Sequence, residues 1–277
     1  MIKRILVGLG GTDYTVSAIH QAVALATAHD AEITGVSVID ENRLANVGSV
    51  PIGGGHYARE LVDDRMAKAK ERVAWAVQEF TTACSASGVR HQVLREVGEP
   101  FSLMIDQARY HDLMIFGLRS LFEFDLVDDP HDALVRLVQA GVRPLIAVSK
   151  DLSPTPVKKV LIAYSGSMES AKTMKWFVQS RLWPDAKLRV VTFEHQADKA
   201  EQLVCDAADF CRAHGFETEE AYVPDSPQKH LLPYAAEWGA DLIVVGNSAK
   251  NLLLRRIFGE TALHVIRNAD RPLFLSQ

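Results

Sequence analysis

The sequence carries the same series of segments twice. Three pairs of segments match in composition and occur in the same order: 2–7 with 157–162, 112–117 with 241–246, and 143–146 with 271–274. Matching blocks in a constant order indicate a duplicated domain. A proline-containing stretch, Asp151–Pro156, is typical of a short linker between two such units. We therefore predict one domain over residues 1–150 and a second over residues 151–277.

Each half alternates short apolar runs with amphipathic segments. Apolar runs of this length predict buried strands, and apolar residues at helical spacing predict the helices between them. The predicted strands are 5–7, 33–39, 89–96, 113–116, 145–148, 157–163, 188–193, 217–223, 242–245 and 273–275. The predicted helices are 17–28, 59–86, 101–109, 133–140, 169–181, 197–214, 228–238 and 261–267.

Strand–helix alternation favours parallel sheets covered by helices on both faces. The fold class expected is α/β, with two doubly wound, nucleotide-binding-type sandwiches. Each sandwich has a mostly parallel five-stranded sheet. Much of the extra length of the first half lies in residues 42–57, which contain Gly53-Gly54-Gly55. We predict a flexible surface loop there, with phosphate binding by the glycines as the less favoured interpretation.

Composition excludes several classes of protein. The 277 residues are 48% hydrophobic and 23% charged, as in ordinary globular proteins. A net charge of −5 argues against nucleic-acid binding, and no apolar run reaches the length of a membrane span. The N-terminus lacks the pattern of a signal peptide. Three cysteines give no disulfide framework and no zinc spacing. We expect a reduced, cytoplasmic protein without a metal site.

The residues with the clearest chemical meaning follow two strands of the second half. Ligands of doubly wound sheets bind beyond the carboxyl ends of the strands, where the strand order reverses. After one predicted strand comes Ser165-Gly166-Ser167; after another, Gly246-Asn247-Ser248-Ala249, with Gly259-Glu260-Thr261 opening the next helix. Glycines let backbone amides converge on an anion, and a helix N-terminus attracts negative charge. Ordinary turns and a serine helix cap at Ser167 are the competing interpretation.

At these motifs the chain resembles a tandem universal stress protein, over nearly all of both halves. Nucleotide-binding members of that family carry Gly, two residues, Gly, nine residues, then Gly-Ser or Gly-Thr. Here the spacing is Gly246, two residues, Ala249, nine residues, Gly259. The resemblance implies an adenine nucleotide, ATP with Mg²⁺, bound in the second half. It also implies that the last strands of the two halves pair, which makes the chain a built-in pseudo-two-fold pair.

The chain departs from the family pattern in several places. Ala249 replaces the middle glycine, and Glu260 stands where a hydroxyl residue is expected, although Thr261 follows. Glu260 would repel a phosphate. The Asp that contacts the base in the family is missing from both halves, and Ser165 is the residue left to bond a purine edge.

The first half has lost more of the motif. Ser120 occupies the middle position after Gly117, and His131 stands where the closing glycine is expected, within a stretch rich in aspartate. That stretch would repel phosphate. A solvated acidic loop is favoured over a divalent-cation site. We predict a first half without nucleotide binding.

The function expected is a non-enzymatic stress-response regulator that binds an adenine nucleotide in its second half, with slow and incidental hydrolysis at most, since no P-loop lysine is present. The alternative is a nucleotide-free structural or partner-binding module. A third interpretation is a pyrophosphatase-type ATP enzyme, suggested by Ser165–Ser170. Protein partners and further association into a homodimer are compatible with each of these.

Overall fold

The computed structural model describes residues 2–51, 53–98, 100–118, 144–150, 156–246 and 260–276. The strands within these ranges are β1 (Arg4–Gly8), β2 (Glu32–Ile39), β3 (His91–Val97), β4 (Leu113–Gly117), β5 (Leu145–Val148), β6 (Lys159–Ala163), β7 (Lys187–Phe193), β8 (Thr218–Val223), β9 (Leu242–Gly246) and β10 (Leu273–Ser276). The helices are α1 (Thr15–His29), α2 (Glu41–Ala45), α3 (Gly55–Ala86), α4 (Pro100–Ala108), α5 (Met168–Ser180), α6 (Ala197–Ala213), α7 (Pro227–Trp238) and α8 (Glu260–Asn268).

The order of predicted strands and helices is confirmed wherever the chain is described. The helix predicted over residues 133–140 lies outside the described residues. The domain boundary predicted at residue 150 adjoins residues 151–155, which also lie outside them, and stays a prediction.

The loop predicted over residues 42–57 is wrong at both ends. Helix α2 begins directly after Asp40, whose carboxylate accepts a hydrogen bond from the Arg43 amide at 3.0 Å. Helix α3 begins at Gly55, and Gly53 is in the left-handed region with a φ of 88°. The glycines therefore form the turn into a 32-residue helix.

All ten strands form one continuous sheet. Its order is β3-β2-β1-β4-β5-β10-β9-β6-β7-β8. Neighbouring strands are parallel except β5 and β10, which pair antiparallel with Phe274 opposite Ile146. Read outward from this central pair, both halves have the same order. The predicted pair of doubly wound sandwiches, related by a pseudo-two-fold axis, is confirmed.

Helices cover both faces of the sheet. One apolar core joins α1, α3, α5 and α6 to the sheet, and a second core joins α4, α7 and α8 to its other face. Alternate residues of a strand serve the two cores: Ile5 belongs to the first and Leu6 to the second, and both are fully buried. This two-sided burial explains the continuous apolar runs in the sequence. Among the described helices, none is long and apolar enough to cross a membrane.

The aspartates of the repeated Asp-Leu segments have a structural role. Asp241 Oδ2 accepts hydrogen bonds from the backbone amides of Lys158 and Lys159, both at 2.8 Å. Asp112 Oδ2 does the same for Lys3 and Arg4, at 2.7 and 3.0 Å. Each carboxylate thus ties the start of one strand to the chain entering its parallel neighbour.

Candidate functional site

The candidate site lies at the carboxyl edge of β6 and β9. These strands are parallel neighbours, with Ala163 beside Val245. From β6 the chain continues to β7 on one side, whereas β9 lies on the other. This is the topological switch point of the second half, where doubly wound folds place their ligands. The turn after β6 and Gly246 at the end of β9 therefore meet at one edge of the sheet.

A tight serine-rich turn connects β6 to α5. Gly166 has a φ of 73°, in the left-handed region that favours glycine. Ser167 is the N-cap of α5, and its hydroxyl accepts a hydrogen bond from the Ser170 amide at 3.1 Å. The helix cap predicted for Ser167 is confirmed.

Three hydroxyls of this turn bond to one another. Ser165 Oγ lies 3.0 Å from Ser167 Oγ and 3.2 Å from Ser170 Oγ, and Ser167 Oγ lies 3.2 Å from Ser170 Oγ. Ser170 is buried and also donates to the carbonyl of Ser167 at 2.9 Å. We call Ser165, Ser167 and Ser170 the serine cluster. Ser165 is exposed and Ser167 is half-buried, so two hydroxyls of the cluster are open to solvent.

Gly246, at the end of β9, packs directly on the start of α5. A Cβ at this position would lie 2.7 Å from Ser170 Cα, 2.9 Å from Ser170 N and 3.0 Å from the carbonyl oxygen of Glu169. All three atoms are backbone atoms, so the helix itself would have to move. The glycine that begins the family motif is thus required by packing, whatever else it does.

The remaining predicted site residues divide into two groups. Asn247, Ser248, Ala249 and Gly259 lie outside the described residues. Glu260 and Thr261 are the first two residues of α8, and Thr261 is half-buried. The predicted helix start at the closing motif is therefore confirmed to within one residue.

The matching loop of the first half is more buried. Gly8, Leu9 and Gly10 are buried, whereas Ser165 and Gly166 in the second half are exposed. Gly11, with a φ of 64°, lies against α3, where an added Cβ would be 2.7 Å from Arg72 Cβ and 2.9 Å from the Arg72 carbonyl oxygen. Gly166 meets the flexible end of Leu203 instead. Gly11 and Thr12 are half-buried, so the loop of the second half is the more exposed of the two.

Tyr164 was not singled out from the sequence, although it begins this turn. Burial raises the pKa of its phenol above the ordinary value, with a smaller contribution from Asp206. Its amide donates to the Val191 carbonyl at 2.9 Å, and its carbonyl accepts from Thr192 Oγ1 at 2.8 Å. These bonds hold the turn to β7. The signal in the sequence is an aromatic residue directly after the strand.

The charged groups of the described chain give no cluster suited to a metal. Among the described residues, no three His, Cys, Asp or Glu side chains are placed to hold an ion. The aspartate-rich stretch around His131 lies outside those residues. All three cysteines are free thiols.

Comparison with known proteins identifies the family. The model of the universal stress protein family matches residues 1–121 and 191–276. A universal stress protein from Archaeoglobus fulgidus DSM 4304 is similar over 99% of this chain and 96% of its own, at 20% identity and a TM-score of 0.67. A putative universal stress protein from Pseudomonas aeruginosa UCBPP-PA14 is similar over 99% and 93%, at 13% identity and a TM-score of 0.60.

A universal stress protein solved in complex with cAMP aligns with 44% of this chain and 98% of its own, at 26% identity and a TM-score of 0.39. No match was found among curated proteins. The family model covers most of the chain and the two full-length structural matches share its fold. The chain belongs to the universal stress protein family, with two such domains in tandem.

Proposed function

We propose that this tandem universal stress protein is a non-catalytic, ligand-responsive regulator of the stress response that binds an adenine nucleotide in its second half. The observation that carries the proposal is the difference between the two matched loops. Ser165 and Gly166 after β6 are exposed at the switch point, whereas Leu9 and Gly10 after β1 are buried and the half-buried Gly11 lies against α3. We place the protein in the cytoplasm, and association between chains is part of the proposal.

The proposed contacts rest on the exposed serine turn after β6 and on the order of the motif residues in the sequence. Ser165 would bond the base through its exposed hydroxyl, supported by Gly166 and Ser167. The chain from Gly246 through Asn247, Ser248 and Ala249 to Gly259 would hold the phosphates with backbone amides. Glu260 and Thr261 begin α8, so the positive end of that helix and the Thr261 hydroxyl would face the phosphates. Mg²⁺ would accompany a triphosphate and offset the charge of Glu260.

We propose no catalytic role for the serine cluster. Its hydroxyls bond to one another and to backbone, and no imidazole or carboxylate of a described residue is hydrogen-bonded to them. An activated serine nucleophile requires such a base. Any hydrolysis of a bound nucleotide is therefore expected to be slow.

The alternative is a nucleotide-free, partner-binding module. The serine cluster favours it in one respect, because its three hydroxyls already have hydrogen-bond partners without a ligand. A turn with satisfied polar groups is stable when empty.

Calorimetric titration of Mg-ATP into the nucleotide-free chain tests the proposal. We expect one site per chain with micromolar affinity. The variant Ser165→Ala should weaken binding about two- to tenfold, the worth of one hydrogen bond. Thr12→Ala in the matched loop of the first half is the control and should leave the affinity unchanged. Absence of heat from a folded protein would overturn the proposal in favour of the partner-binding module.

A further inference from the structure

A second cleft lies in the first half, away from the serine cluster. It has a volume of about 270 Å³ and opens between the carboxyl ends of β2 and β3 and the helix α3. Its walls are Ser37, Ile39, Lys70, Val73, Ala74, Arg95, Glu96 and Val97. All of these residues are described, and the cleft is somewhat smaller than the pockets that hold drug-sized molecules.

The shape of the cleft follows from the packing of α3 on β2. Deeper in the sheet, the space above Gly35 is filled by Leu9 and Phe80, which an added Cβ would meet at 2.8 and 2.9 Å. Two residues further along the same face stands Ser37, where α3 presents Val73 and Ala74. Val73 and Ala74 are too small to fill the space beside Ser37, whereas the ring of Phe80 fills the space beside Gly35.

Ser37 is the unusual residue of this cleft. It is 1% exposed, and its hydroxyl has no hydrogen-bond partner among the described residues. A buried polar group left unpaired costs about 1–3 kcal/mol. A ligand atom that bonds to Ser37 Oγ would remove that cost.

The duplicated fold shows what a hydroxyl at this position ordinarily does. The amide of Leu9 donates to the Val36 carbonyl, and the amide of Tyr164 donates to the Val191 carbonyl. Ser37 directly follows Val36, and Thr192 directly follows Val191. The two hydroxyl residues therefore occupy equivalent positions in the two halves. Thr192 Oγ1 donates to the Tyr164 carbonyl at 2.8 Å, whereas Ser37 forms no such bond.

The residues beside the matched hydroxyls differ as well. In the parallel register, Ser37 lies beside Arg95 and Thr192 beside Tyr222. The first half therefore has a guanidinium where the second has a phenol. Lys70 adds a second cation to the rim of the cleft, and neither it nor Arg95 pairs with an acidic group among the described residues. Glu96 supplies one negative charge, which leaves the lining with a net charge of about +1 at neutral pH.

We propose that this cleft binds a small amphipathic monocarboxylic acid that carries a hydroxyl at its far end. The apolar body of the acid would contact the apolar side chains of the lining, which are Ile39, Val73, Ala74 and Val97. Ser37 bonds the buried hydroxyl, and Lys70 with Arg95 attracts the carboxylate at the rim. The site is independent of the nucleotide site proposed for the second half, so neither proposal rests on the other.

Ligand-detected NMR titration of the full chain with matched probes tests this inference. The probes are 3-hydroxyphenylacetate, 4-hydroxyphenylacetate and phenylacetate, which differ only in the hydroxyl. We expect saturable binding in which at least one hydroxylated acid binds about two- to tenfold more tightly than phenylacetate, as one hydrogen bond predicts. Ser37→Ala should abolish that difference and remain folded, because it removes an unpaired hydroxyl.

Two further variants locate the binding. Ala74→Trp should fill the cleft and eliminate binding of all three acids. Ala67→Trp places the same side chain at an exposed position of α3 that does not line the cleft, and should leave binding unchanged. Failure of both hydroxylated acids to saturate, equal affinity for all three acids, or full binding by Ala74→Trp would each overturn the inference. Mg-ATP should not displace the acids, whichever result the calorimetric titration gives.

Discussion

The substitution Gly246→Ala separates a packing requirement from a ligand-binding one. Gly246 begins the segment that resembles the family's nucleotide motif, yet it lies against the first turn of α5. The added methyl carbon would sit 2.7 Å from Ser170 Cα and 2.9 Å from Ser170 N. Carbon–carbon contacts are optimal at about 3.5–4.0 Å, so the helix start or the end of β9 must move by several tenths of an ångström.

The expected cost follows from this overlap. Inserting a methyl group into a closely packed region costs about 1–3 kcal/mol. The displaced atoms belong to the residue whose amide is capped by Ser167, and a serine cap is worth about 1 kcal/mol. We therefore expect Gly246→Ala to lower the free energy of unfolding by about 2–3 kcal/mol. That is a large loss of stability for a substitution that adds one methyl group.

Thermal unfolding in the absence of any nucleotide measures this cost. Each kcal/mol corresponds to a Tm change of about 2–4 °C for a chain of 150–250 residues, so a fall of at least 4 °C is expected. Gly55→Ala is the matched control, since a Cβ there meets nothing within 4 Å and φ is not positive. It should be neutral or slightly stabilising. A Tm for Gly246→Ala equal to that of the wild-type chain would refute the packing argument.

Four further outcomes follow from individual contacts. Thr192→Val should lose about 1–2 kcal/mol of unfolding free energy in urea denaturation, because it removes a buried hydrogen bond, whereas Ser37→Ala should lose none. Asp241→Ala should lose about 2 kcal/mol by the same assay, since one carboxylate oxygen accepts from two amides, and Asp241→Asn should lose less. Burial lowers the pKa of His111 below its unfolded value, so folding favours the neutral ring. The free energy of unfolding should therefore fall as the pH drops through about 6.5, where the unfolded state begins to bind a proton. The variant His111→Phe should remove this part of the pH dependence. Only the half-buried Cys205 should react readily with a disulfide reagent in the native protein, although the nearby Asp209 raises its pKa, because Cys84 and Cys211 are buried and burial raises the pKa of each to about 12.

Contradicting results are equally specific. A stabilised Thr192→Val variant would mean that the hydrogen bond of the Thr192 hydroxyl does not offset the free-energy cost of burying that hydroxyl. An unchanged pH dependence in His111→Phe would assign the effect to other groups. Reaction of all three thiols at the same rate would show that the buried Cys84 and Cys211 readily become accessible to the reagent.

Most of the fold was predictable from the sequence because its signals are local. Apolar runs such as Leu242–Val245 read as buried strands without any knowledge of their neighbours. The long helix ends at Ala86 as predicted, and Gly88 follows the cap residue with a φ of 65°. The five-residue helix α2 was missed, although Asp40 three residues before Arg43 is a helix-start signal.

The candidate site was predictable only in part. The repeated motifs located the two loops of the second half, and the cap at Ser167 was recognisable from sequence. Nothing local distinguishes the half-buried loop at Gly11 from the exposed loop at Gly166, because the difference lies in which residues of α3 and α6 lie against them. Those helices are distant in the sequence and meet the loops only through the sheet.

The sequence by itself determined the duplication, the strand–helix order and hence the family, since these depend on periodicity and motif order along the chain. The tertiary structure alone decided three things: that Gly246 is needed by α5, that the aspartates of the repeated segments tie neighbouring strands together, and that Ser37 is buried without a partner while its counterpart Thr192 is bonded. The physical reason is common to all three. Each depends on atoms brought within about 3 Å of one another by strand register and helix packing, and hydrogen bonds and steric overlap change steeply at that distance.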